Sequence, residues 1–178
     1  MTQAANNNAY GVLSDDSTLT VKRLLPGPID RVWRYLAESD LRRQWLAAGD
    51  MEMKRGSRFE LVWRNGELMD NPGQPPEGFG GEHRMNSEIT EIDAPRKLSF
   101  SWGDTGGVSF ELDQQGDEVL LTLTHRRIAE RSTRLNISAG WHAHLDVLAA
   151  RLSGDELTRP FWDHWASLKA DYEKRLPA

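Results

Sequence analysis

Gly140-Trp-His-Ala-His-Leu-Asp-Val-Leu-Ala-Ala-Arg-Leu-Ser-Gly154 is the stretch on which the reading of the fold turns. Trp141, Leu145, Leu148 and Leu152 recur at spacings of three and four, which puts them on one face of a helix. Gly140 precedes the pattern and Gly154 follows it, as start and stop signals would. A helix of about 13 residues is roughly 20 Å long, enough to cross a sheet. The segments upstream of residue 126 read as that sheet. The helix is therefore expected to close the sheet's open side, with a pocket between the two.

The sheet is written in alternation. From Ser17 to Leu24, Leu19, Val21 and Arg23 share one face, and Pro26-Gly27-Pro28 ends the strand. Ile29, Val32, Trp33 and Leu36 then follow helical spacing, with Pro28 placed at a helix start. Ser39 or Asp40 caps a second short helix that turns Leu41, Trp45 and Leu46 inward. Ser57 to Arg64 alternates strictly, with Phe59, Leu61 and Trp63 on the inner face. In the strand from Glu82 to Ile92, an inward Ile89 brings Ser87, Met85 and His83 to the same side. Leu98, Phe100 and Trp102, then Val108, Phe110 and Leu112, then Val119, Leu121, Leu123 and His125, line the inner faces of the last strands. Short turns join these strands, which implies an antiparallel meander. Residues 65–81, rich in Gly and Pro, break the pattern as a long loop that reads equally as functional or disordered. Residues 127–138 read as a polar connection, and Phe161, Trp165, Leu168, Tyr172 and Leu176 mark a second C-terminal helix.

A chain of 178 residues has the size of one domain, expected over residues 17–178 behind a disordered tail at 1–16. It has no cysteine, which excludes disulfides, thiolate metal sites and cysteine nucleophiles. A net charge of −5 argues against nucleic acid as a partner. There is no signal peptide and no apolar run long enough to span a membrane, so a cytoplasmic location is expected. His142 and His144 lie two apart and point in nearly opposite directions on a helix, with His142 expected to face solvent; no metal is expected.

These elements, one strand, two short helices, a meander and a long helix, define an α+β helix-grip arrangement with about six to seven strands. Here the sequence resembles the START-like (SRPBCC, birch-pollen-allergen-like) superfamily and, within it, the heat-shock-protein ATPase activator homologues. The resemblance rests on Arg23-Leu-Leu-Pro-Gly-Pro-Ile-Asp-Arg-Val-Trp-Arg-Tyr-Leu36 and on Leu41 to Trp45-Leu46. It continues through Leu98-Ser-Phe-Ser-Trp102, Leu123-Thr-His125 and Gly140-Trp141 with Leu145, Leu148 and Leu152, covering residues 17–153. It implies binding of an apolar molecule, such as a lipid or polyketide, between sheet and helix. It also implies two alternatives: an enzyme of cyclase or hydrolase type, or a protein that modulates a chaperone ATPase. No cofactor and no catalytic residue is assigned. The expected ligand-binding set is Phe59, Leu61 and Trp63, His83 and Met85, Phe100 and Trp102, Phe110, Leu123 and His125 from the strands, with Trp141, Leu145 and Leu148 from the helix.

Overall fold

Alternating apolar side chains need a partner on one side only, and the chain meets that need with one sheet wrapped on one helix. The computed structural model describes residues 10–15, 17–104 and 106–177. Strands β1 (Val12–Asp15) and β2 (Thr18–Pro26) lead into helices α1 (Ile29–Ala37) and α2 (Ser39–Arg42). Strands β3 (Arg58–Trp63), β4 (His83–Asp93), β5 (Lys97–Trp102), β6 (Gly106–Gln115) and β7 (Glu118–Arg126) follow, then helices α3 (Arg131–Ser153) and α4 (Phe161–Arg175). The strands form a seven-stranded sheet in the order β1-β2-β7-β6-β5-β4-β3. Every neighbouring pair is antiparallel, which gives the expected helix-grip architecture.

Register carries the inner face across the sheet. Leu19 pairs with His125, Val21 with Leu123 and Leu25 with Val119. Leu123 in turn pairs with Phe110, Phe110 with Leu98, and Phe100 with Ile89. All of these residues are buried. The expected tail at 1–16 needs correction in part: Val12–Asp15 pairs with β2, whereas residues 1–9 and Asp16 lie outside the described residues. Thr105, within the expected turn at 103–107, also lies outside them.

The long helix begins at Arg131, nine residues before the glycine read as its start. Its first turns are polar, and their arginines bind backbone carbonyls. The Arg134 guanidinium donates to the Ala129 and Ile128 carbonyls at 2.7 and 3.2 Å, and Arg131 donates to the Glu173 and Pro177 carbonyls. Tertiary hydrogen bonds thus stabilise turns that lack an apolar stripe. Gly154 does end the helix, in the left-handed conformation that glycine adopts without strain.

Two buried arginines fix the surroundings of α3. Arg42, the last residue of α2, donates to the Leu36, Ala37 and Ala47 carbonyls at 3.0, 3.3 and 3.1 Å, and also to that of Gly49. Burial pulls its pKa down to about 10, which still leaves it charged at neutral pH. Arg23 on β2 lies 3.3 Å from the Asp146 carboxylate on α3. No helix among the described residues is long and apolar enough to cross a membrane.

Leu148 is fully buried among these elements. A Leu148→Asp variant exchanges a packed side chain for an unpaired buried carboxylate, so urea unfolding should show a loss of at least ~4 kcal/mol. Unchanged unfolding in that variant would contradict the packing of α3 on the sheet.

Candidate functional site

At one end of the sheet the side chains do not fill the space, and a cavity of about 350 Å3 remains. Four elements of the grip supply one part of its lining. Trp63 and His83 are paired across β3 and β4, Trp102 ends β5, and α3 contributes Asn136, Ile137, Gly140, Trp141 and His144. The other part comes from α4, through Phe161, Trp162 and Trp165, and from the loop after β3, through Asn65, Gly78 and Phe79. Leu46 completes the lining. Among the described residues, no Lys, Arg, Asp or Glu side chain takes part.

The rings support one another mostly edge-on or tilted, as their quadrupoles favour. Trp102 lies 5.5 Å from Trp63 and 5.4 Å from Trp141, ring centre to ring centre. Phe79 lies 5.1 Å from Trp165, and Phe161 lies 5.0 Å from Trp162. Gly78 and His83 are exposed, so the cavity reaches solvent beside the loop. The loop at 65–81 is folded against α4: the Trp162 amide donates to the Pro72 carbonyl at 2.8 Å. Gly73 packs so closely there that a Cβ would come within 3.1 Å of Pro160 and of the Asp163 carboxylate. Gly140 also has a positional reason. It sits in mid-helix, and a Cβ there would find only Trp165 Nε1, at 3.9 Å, so its missing side chain is part of the open volume.

The histidines fall into separate environments. His125 accepts a hydrogen bond from the Trp141 indole at 2.9 Å through Nδ1 and packs 5.0 Å from Trp102, behind the cavity wall. His144 places Nδ1 2.8 Å from the Trp45 carbonyl and packs 5.0 Å from Phe161. His142 does not face solvent as the helical wheel suggested, because α4 and Tyr10 cover that side of α3. Its Nδ1 lies 2.9 Å from the Tyr172 hydroxyl, which also accepts from the Gly11 amide at 2.7 Å. Burial holds the Tyr172 phenol protonated, with its pKa pushed up to about 12. His164 on α4 donates to Asp146 at 2.8 Å, so one carboxylate serves both Arg23 and α4.

Of the residues expected to bind ligand, the structure brings Trp63, His83, Trp102 and Trp141 to the cavity. Phe59, Leu61, Phe100, Phe110, Leu123, Leu145 and Leu148 instead close the core, and His125 stands behind Trp102 and Trp141. Met85 packs half-buried against the core, outside the lining. Their positions were read as inward, and inward they are. The space next to them, however, is filled by Trp45, which meets Phe110 at 6.2 Å. The expected binding set left out the residues of α4, those of the loop and His144. The only local signals for these were the aromatic spacing from residue 161 and the unusual length of the loop.

A curved antiparallel sheet gripping a long helix, with an aromatic cavity at one end, places the chain in the START-like class. Within that class it belongs to the Activator of Hsp90 ATPase homolog 1-like protein family, which it matches over residues 26–153. A Bordetella parapertussis protein known from solution NMR is 36% identical, with 100% of this chain and 97% of that one covered and a TM-score of 0.79. CalU16 from Micromonospora echinospora is 19% identical, with 88% and 86% covered and a TM-score of 0.65. DynU16, encoded in the dynemicin biosynthetic locus, is 19% identical, with 83% and 50% covered and a TM-score of 0.63. No functionally curated protein matches the chain significantly.

Desolvation depresses the pKa of His125, His142 and His144 from 6.5 to about 4. Between those values the unfolded chain binds more protons than the fold, so stability is full above pH 6.5 and falls as pH drops toward 4. At pH 5 the loss should be about 2 kcal/mol for each of these histidines. Urea unfolding at pH 7 and pH 5 measures it; equal stabilities would show that the imidazoles are not buried as neutral groups.

Proposed function

We propose that this protein binds a small, uncharged, hydrophobic molecule in the cavity between the sheet end, α3 and α4. The observation that carries this reading is a space of about 350 Å3, lined by aromatic rings and, among the described residues, free of charged side chains. That volume lies within the range of small-molecule sites, which are mainly apolar with a few placed polar groups. An ionised guest would leave its charge unpaired there, at a cost no neighbouring group offsets. The large aromatic area available suits a flat or compact apolar guest better than an extended polar one. Family membership supports the reading through the fold, which leaves room between a curved sheet and its helix.

Native mass spectrometry of protein purified without denaturation tests this directly, with a co-purifying small molecule as the expected result. Gly140 supplies the matching variants. Gly140→Ala should raise stability by ~0.5–1 kcal/mol, because glycine is a poor helix former and the new methyl meets only ordinary contact. Gly140→Leu should fill the cavity and weaken binding of a naphthalene guest, followed by tryptophan fluorescence, by roughly tenfold or more. Undiminished binding in Gly140→Leu would place the guest elsewhere and overturn the proposal.

A further inference from the structure

We propose that His144 sets the choice of guest, its Nε2 accepting a hydrogen bond from a hydroxyl or N–H group on an otherwise apolar aromatic molecule. This inference rests on the cavity reading above and adds the chemistry the cavity selects for.

The argument begins with the partner on the other side of the ring. A carbonyl oxygen can only accept, so at 2.8 Å from the Trp45 carbonyl the His144 Nδ1 must carry the proton and donate it. That bond fixes the tautomer and leaves the lone pair on Nε2. The Trp45 carbonyl is itself held in place. The Trp45 indole donates to the Tyr35 carbonyl at 2.8 Å, and buried Arg42 binds the carbonyls of Leu36 and Ala47 on either side of it. His144 lines the cavity, and its Nε2 has no hydrogen-bond partner among the described residues. Burial keeps the ring neutral at pH 7, with a pKa near 4, so Nε2 remains an acceptor and does not become a donor by protonation.

Asn65 and Asn136 also belong to the lining, but their amide oxygens are buried away from the cavity space, so the selection falls to His144. An acceptor that a guest desolvates without meeting it is costly, and a guest that brings a donor removes that cost. A carboxylate brings only further acceptors and finds no Lys or Arg on the lining. The cavity therefore favours a phenol-like or N–H-bearing aromatic molecule over a pure hydrocarbon of the same shape, and over an aromatic acid.

The test compares 2-naphthol with 2-methylnaphthalene, near-isosteric guests with and without a donor, and adds 2-naphthoate as the anion. Dissociation constants are measured by tryptophan fluorescence on the full chain. His144→Asn keeps a donor where Nδ1 stands and removes the distal acceptor; His144→Gln places an amide oxygen near the Nε2 position. The ratio of the methylnaphthalene to the naphthol constant should fall roughly tenfold in His144→Asn relative to the parent and be regained in His144→Gln. 2-Naphthoate should bind more weakly than 2-naphthol. An unchanged ratio in a folded His144→Asn variant overturns the inference while leaving the cavity reading intact, whereas tighter binding of the anion than of 2-naphthol overturns both the inference and the reading of the cavity as a site for an uncharged guest. Failure of both neutral guests to bind the parent protein overturns the cavity reading itself and this inference with it. Should His144→Asn not fold, nitrogen NMR of the parent protein decides the matter. The unprotonated Nε2 resonance should move on adding 2-naphthol but not 2-methylnaphthalene, and an equal response to both overturns the inference.

Discussion

Helix α3 has no outward face along its middle: Trp141, His142, Ala143, His144 and Leu145 are all buried. A helix enclosed in this way needs cover on each side, and each of its polar side chains needs a partner. That single constraint places the remaining elements. The sheet takes Trp141, Leu145 and Leu148; the segment after α2 meets His144 through a backbone carbonyl; α4 and the residues before β1 meet His142 through Tyr172. Asp146, one turn further on, joins β2 to α4 by way of Arg23 and His164. Around Ile137 and Gly140 the cover is incomplete, and there the cavity lies.

Buried cations stabilise this arrangement by organising backbone and carboxylate oxygens. Arg42 gathers carbonyls from the end of α1 and from the turn after α2, so the chain between them cannot straighten without stranding a guanidinium away from water. Arg151 repeats the device on the surface of α3, donating to the carbonyls of Gln44 and Leu68 and so tying the α2 turn to the loop. In both cases the sequence offers a long flexible side chain, and the fold supplies a fixed array of acceptors.

This division explains what could be read from the sequence. Strand alternation is local, so Phe59-Glu-Leu-Val-Trp63, Leu98-Ser-Phe-Ser-Trp102 and Val119 to His125 announce their inner faces directly. The beginning of α3 was hidden because its first turns are held by arginine bonds to backbone carbonyls, those of Arg131 reaching residues after α4's midpoint, and because Gly140 resembles a boundary. The same holds for the site. Trp63, Trp102 and Trp141 follow from the strands and the helical stripe, whereas His144 depends on which backbone oxygen meets Nδ1, something no side-chain pattern records. That the central rings close the core and leave the space at the sheet end depends on Trp45, whose reach across to Phe110 spans 65 positions of sequence.

The cavity is built from two sources of different standing. Its sheet and α3 surfaces lie within residues 26–153, the part that matches the family, while Phe161, Trp162 and Trp165 lie beyond it. Substitutions in α4 can thus reshape the cavity while the sheet and its register remain as they are. Relatives grouped by the shared region alone will be grouped by scaffold. Grouping them by the shape of the cavity requires comparison of the three aromatic residues that follow Pro160 in α4.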